Sequence, residues 1–128
     1  MSKIIWMSDP HFQKDGLIDG INPRKRISLA IEHANLHHSD AAFIVLSGDL
    51  AGDEGDDNYD ALAEHLGKSA LPIYPMMGNH DSRASMRAHL NVPETAMPDF
   101  IQYSLDLPDA KILCLDTHKL GSHAGQFC

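Results

Sequence analysis

The stretch Leu71-Pro72-Ile73-Tyr74-Pro75-Met76-Met77-Gly78-Asn79-His80-Asp81 sets a short apolar run directly against an amide, an imidazole and a carboxylate. Donors of these kinds suit hard or borderline divalent cations, and the glycine before them permits a sharp turn. Two other apolar runs end in the same way. Lys3-Ile4-Ile5-Trp6-Met7 leads into Ser8-Asp9-Pro10-His11, and Ala42-Phe43-Ile44-Val45-Leu46 leads into Ser47-Gly48-Asp49. An open parallel α/β sheet builds its sites in the crevice beyond the carboxyl ends of its strands. Three strands that each deliver ligand-type side chains to that edge point to an α/β fold organised around a metal centre.

The segments between these runs carry helical signals. Asn22 is placed to cap a helix with Pro23 at its first position, where a missing N–H costs nothing. Ile27, Ala30, Ile31 and Ala34 then recur at helical spacing as far as His37-His38; Leu29 and Leu36 fall on the opposite side. Tyr59, Leu62, Ala63 and Leu66 repeat the stripe, from an Asp-rich first turn that suits the helix dipole to Gly67. Asp81 is expected to cap a third helix reaching Leu90. The strands are expected over residues 3–7, 41–46 and 71–76. The first is apolar throughout, as a strand covered on both faces would be, and the two prolines of the third suit a short or edge strand. The order β-α-β-α-β-α is that of a parallel sheet with right-handed crossovers. Past Pro93 the pattern changes. Ile101, Tyr103, Leu105 and Leu107 alternate with polar residues, Pro108-Asp109 turns, and residues 112–115 return, which describes an antiparallel hairpin.

With 128 residues the chain has the length of one domain, and 43% hydrophobic against 22% charged residues describes a soluble globular protein. Ten Lys and Arg against eighteen Asp and Glu leave a formal charge of −8. That balance disfavours sequence-independent capture of a nucleic-acid backbone, which relies on clustered basic side chains. Cys114 and Cys128 are too few for a disulfide scaffold, and Cys114 lies in an apolar run where a buried thiol is expected. The N-terminal apolar stretch is too short for a signal peptide and no stretch approaches membrane-spanning length, so the expected setting is the cytoplasm, without a membrane partner.

Taken singly, the candidate ligands have plainer readings. Asp9 and Asp49 suit turns, His11 a surface position, Asn79 a left-handed turn residue and His80 a satisfied histidine. Their joint arrival behind three apolar strands favours the metal. Other groups do not meet that standard. His33 and His37 lie four apart but lack the glutamate of a zincin helix. The run from Asp53 to Asn58 has the composition of a calcium loop, yet Gly55 stands where a third-position ligand belongs. Arg24-Lys25-Arg26 reads as an exposed helix start, and His118 and His123 have no evident partner in the sequence.

Together, Asp9-Pro10-His11, Gly48-Asp49 and Gly78-Asn79-His80-Asp81 resemble the calcineurin-like metallophosphoesterase superfamily, and within it the bacterial class III cyclic-nucleotide and glycerophosphodiester phosphodiesterases. The protein Ser/Thr phosphatases usually carry Arg where this chain has Met77, and Glu where it has Asp81. The resemblance implies a four-layer αββα sandwich, of which residues 1–128 would be the N-terminal part of a single domain. It also implies two divalent ions of the Fe, Mn or Zn type. Asp9 and His11 would bind the first, Asp49 would bridge both, Asn79 would bind the second, and His80 would contact the phosphate or protonate the leaving oxygen. The activity implied is hydrolysis of a small-molecule phosphodiester by a hydroxide held on the metals. The family often has Asp or Asn where this chain has Gly52, with Asp53 one place later. It also supplies a Gly-His-x-His motif from a second half, and no such motif occurs before Cys128. The second metal is therefore expected to be short of ligands, the chain to be weakly active alone, and its uncovered sheet to seek a second copy or a missing C-terminal half. A non-catalytic metal-binding or interaction module is the alternative, as is a nuclease of the same superfamily, against which the acidic charge weighs.

Overall fold

The computed structural model describes residues 1–51, 55–95 and 97–126. Gly52, Asp53 and Cys128, on which expectations were placed, lie outside them. Strand β1 (Ile5–Ser8), helix α1 (Pro23–His37), β2 (Ile44–Ser47), α2 (Asp56–Leu66), β3 (Ile73–Met76) and α3 (Arg83–His89) alternate, followed by β4 (Tyr103–Asp106) and β5 (Lys111–Cys114). The first three strands form one parallel sheet in the order β1-β2-β3, and β4 and β5 pair antiparallel.

Residues that share a register in a parallel sheet share a face. Ile44 and Leu46 of the central strand point one way and Val45 the other, and all three are buried. On the first side Leu46 joins Phe12, Ile27 and Ile31 of α1, Tyr59 and Leu62 of α2, and Met86 of α3 in the larger core. On the second side Val45 meets Phe43, Leu105 and Cys114, with Tyr74, Tyr103 and Ile112 packed around them. The layers therefore run helices, parallel sheet, hairpin. Each fully buried aliphatic or aromatic side chain in these two cores contributes about 1.5–3 kcal/mol over leaving it exposed.

The helix signals correspond closely to the structure. Asn22 caps α1 by accepting from the Lys25 amide, with Pro23 in the first turn. Ile27, Ile31 and Ala34 are buried, while Leu29 and Leu36 face solvent. Helix α2 opens on Asp56 and Asp57 and stops at Gly67.

Two expectations are corrected. Strand β1 is not covered on both faces: it lies at the edge of the sheet, where Trp6 is 61% exposed and its indole N–H donates to Ser47 Oγ at 2.7 Å. Asp81 does not cap α3. Ser82 does, accepting from Ser85 N, and the Asp81 side chain is drawn into the interior instead. Strands β2, β3 and β4 are also shorter than their apolar runs, because flanking apolar residues such as Met77 fill the core beyond the strand ends.

Candidate metal centre

Beyond the carboxyl end of β1 the chain continues alongside the segment that follows β2. Asp9 N donates to Gly48 O at 3.2 Å, His11 N to Asp49 O at 3.0 Å and Phe12 N to Leu50 O at 2.8 Å. This lateral pairing holds both segments bent. Asp9, His11 and Asp49 have φ of 51°, 41° and 47°, left-handed backbone that non-glycine residues seldom adopt. Asp9 and His11 thus face one centre through two left-handed bends.

The result is a cluster. Among the described residues, Asp9, His11 and Asp49 form the one group of three or more His, Cys, Asp or Glu whose ligand atoms all lie within 4.8 Å of one another. His11 Nε2 stands 4.0 Å from Asp9 Oδ1 and 3.8 Å from Asp49 Oδ2. Two donors opposite each other on one ion, each about 2.1 Å from it, are separated by about 4.2 Å, so these spacings fit a shared cation. The side chains are 58% (Asp9), 36% (His11) and 14% (Asp49) exposed, leaving the cluster open on the Asp9 side.

The third ligand-bearing segment comes in behind Asp49. Gly78 approaches so closely that a Cβ there would lie 2.1 Å from Asp49 N and 2.2 Å from Asp49 Oδ1. No residue with a side chain fits without shifting backbone. The Asp49 carboxylate consequently faces two ways: Oδ1 accepts from His80 N at 3.1 Å while Oδ2 looks toward His11. The His80 ring stands 5.6 Å from that of His11, edge to face. Asn79 is exposed, and its amide nitrogen lies 3.0 Å from His123 Nδ1. Asp9, His11 and Asp49 are thus brought to one point, with the His80 ring beside His11 and the Asn79 amide against His123.

Behind this surface, Asp81 ties two of the loops together. Its carboxylate accepts from Gly78 N (2.8 Å), Leu50 N (2.9 Å), Ala51 N (3.3 Å) and the Tyr59 hydroxyl (2.8 Å). Burial pushes its carboxyl above the ordinary range, and these hydrogen bonds only partly offset that.

A second buried carboxylate, Asp116, supports the same region from the hairpin side. It accepts two hydrogen bonds from Arg83, at 2.7 and 2.8 Å, and others from the Ile101 and His118 amides. Burial acts to raise its carboxyl, but Arg83 and the amides outweigh burial and hold it below the ordinary range. Asp116 was not singled out above, although it ends the apolar run 112–115 just as Asp9 and Asp49 end theirs. The partners of the two tail histidines also become visible: His118 Nδ1–H donates to Gly78 O at 2.9 Å, and His123 meets Asn79.

The family model of the calcineurin-like phosphoesterases matches residues 2–126. The chain belongs to that family. This calcineurin-like phosphoesterase is 35% identical, over 98% of its length, to a probable cyclic nucleotide phosphodiesterase of Rhodopseudomonas palustris, of which it covers 47%. It is 30% identical over 90% of its length to one of Fibrobacter succinogenes, covering 44%. To the 3',5'-cyclic adenosine monophosphate phosphodiesterase CpdA of Haemophilus influenzae it is 27% identical over 71% of its length, covering 34%. The chain therefore spans half or less of these relatives' lengths. Calcineurin-like phosphoesterases employ divalent metals, and the two carboxylates and imidazole gathered here are a donor set suited to one. No helix among the described residues is long and apolar enough to cross a membrane.

Proposed function

We propose that this chain provides the catalytic face of a phosphodiesterase acting on a small-molecule phosphodiester of the cyclic-nucleotide or glycerophosphodiester class, in the cytoplasm. The observation that carries the reading is the convergence of Asp9, His11 and Asp49 within 4.8 Å, with a divided Asp49 carboxylate and His80 beside it. In this proposal Asp9 and His11 hold a first divalent ion of the Mn, Fe or Zn type, Asp49 is shared with a second, and Asn79 serves the second. When bound, such ions cancel phosphoryl charge and make water a competent nucleophile near neutral pH.

The remaining work falls to the chain. The His80 N–H on Oδ1 fixes the Asp49 carboxylate in the orientation that sharing requires. The exposed His80 imidazole is free to reach a bound phosphodiester and give a proton to its departing oxygen. Asp49 and Asn79 alone offer the second ion two donors, fewer than the four to six that a stable site uses. Turnover by these 128 residues is accordingly expected to be low.

The test is His80→Ala in the metal-loaded chain, assayed on a chromogenic phosphodiester beside metal analysis. The proposal expects hydrolysis to fall about a hundredfold or more with metal content unchanged. Unchanged hydrolysis refutes His80 as proton donor. If the native chain holds metal tightly but shows no hydrolysis above a metal-free control, the module reading is correct, in which Asp9, His11 and Asp49 serve binding alone.

A further inference from the structure

The segment following β5 folds back into a closed loop. Gln126 N donates to Thr117 O at 2.8 Å, Ser122 N to Lys119 O at 3.1 Å, and His118 and Gly125 face each other in an antiparallel bridge. The base of this loop is fixed by Asp116, which accepts from His118 N, by Arg83 Nη2, which donates to His118 O, and by the His118 imidazole on Gly78 O. Its tip carries His123 to Asn79. Between loop and turn lies a recess of about 220 Å³, lined in part by Asn79, Lys119, Ser122 and His123.

An amide nitrogen can only donate. The 3.0 Å contact between Asn79 Nδ2 and His123 Nδ1 therefore makes Nδ1 the acceptor. With its nitrogen committed, Asn79 is left with Oδ1 as the atom free to meet a cation. The loop base holds the imidazole at this distance.

We propose that His123 is a positioning residue for the metal centre, fixing which end of the Asn79 amide is offered to the second ion. Its functional consequence rests on the role proposed above for Asn79; the contact itself does not. Outer partners that orient a ligand are worth 10- to 100-fold in metal affinity.

Two measurements on the 128-residue chain test this. In the metal-free protein, the Asn79 side-chain NH₂ signal in a ¹H–¹⁵N spectrum is expected to move in His123→Ala and to return toward its native position in His123→Gln, whose amide oxygen can also accept. In a manganese titration, His123→Ala is expected to weaken the second equivalent about tenfold and leave the first unchanged. It should add nothing in an Asn79→Ala background. An unmoved Asn79 signal overturns the proposal, as does equal weakening of both equivalents. So does a further loss in the Asn79→Ala background, which would make His123 a ligand in its own right. If the native chain takes up a single equivalent, the two-ion reading fails and the Asn79 signal alone decides the role of His123.

Discussion

Asp81 immediately follows the imidazole of the Gly78-Asn79-His80 turn and, unlike its neighbours, faces inward. Asp81→Asn would set an NH₂ group against hydrogen-bond donors that the carboxylate now accepts, either Gly78 N–H or those of Leu50, Ala51 and Tyr59. Leaving such groups unsatisfied costs about 1–3 kcal/mol. Urea unfolding of Asp81→Asn is expected to show a loss of that size, and metal affinity to fall with it, because the turn after β2 and the turn after β3 are no longer tied. Asp116 gives a pH prediction. Its carboxyl lies below the ordinary 3.8 in the folded chain, so its stabilising contribution is fully present above about pH 4 and is lost as pH falls through the depressed folded value. Asp81 has the opposite sign, but native protein and Asp116→Asn both carry it and the difference between them removes it. The stability gap between these two proteins is expected to be about 3 kcal/mol near neutrality and to shrink on acidification below pH 4. A gap independent of pH would show that the Asp116–Arg83 pair contributes nothing as an ion pair. Neither role can be read from the sequence. A carboxylate next to candidate ligands reads as ligand or cap, and only closure of two distant loops buries Asp81. Asp116 was accessible in principle from its place after an apolar run, but its partner Arg83 lies 33 residues earlier with nothing local to connect them.

At the level of elements, the signals with a local cause carried over. Asn22 and Pro23 start α1 through the hydrogen bond and fixed φ that the sequence suggests. Asn22→Ala is expected to cost about 1 kcal/mol, measurable as a lower thermal midpoint, while Asn22→Asp should cost little. Strand boundaries were less accessible, since an apolar residue can fill a core inside or outside a ladder. Phe43 and Met77 are both buried yet both lie beyond strand ends. The expectation that β1 is covered failed for a related reason: a continuous apolar run records what a strand could pack against, and the Trp6 side chain, whose indole donates to the Ser47 hydroxyl, is mostly in solvent. The prolines of β3 proved the better guide, since that strand does lie at a sheet edge.

For the whole molecule, Leu113 of β5, 61% exposed, and Leu115 just past it, 37% exposed, face solvent, as does Trp6 on the edge strand β1 of the parallel sheet. Apolar side chains on open strands promote association. Sedimentation of the 128-residue chain is expected to show concentration-dependent self-association, reduced by Leu113→Lys combined with Leu115→Lys; a monomer at every concentration would contradict this. The three left-handed bends at Asp9, His11 and Asp49 matter on this scale as well. Each such bend stores roughly 1–2 kcal/mol in a non-glycine residue, and cross-strand pairing keeps all three from relaxing. An ion that binds only the bent backbone would latch the sheet's upper rim shut, raising the melting temperature with occupancy. Metal supply would then govern how long the protein survives as well as whether it can react.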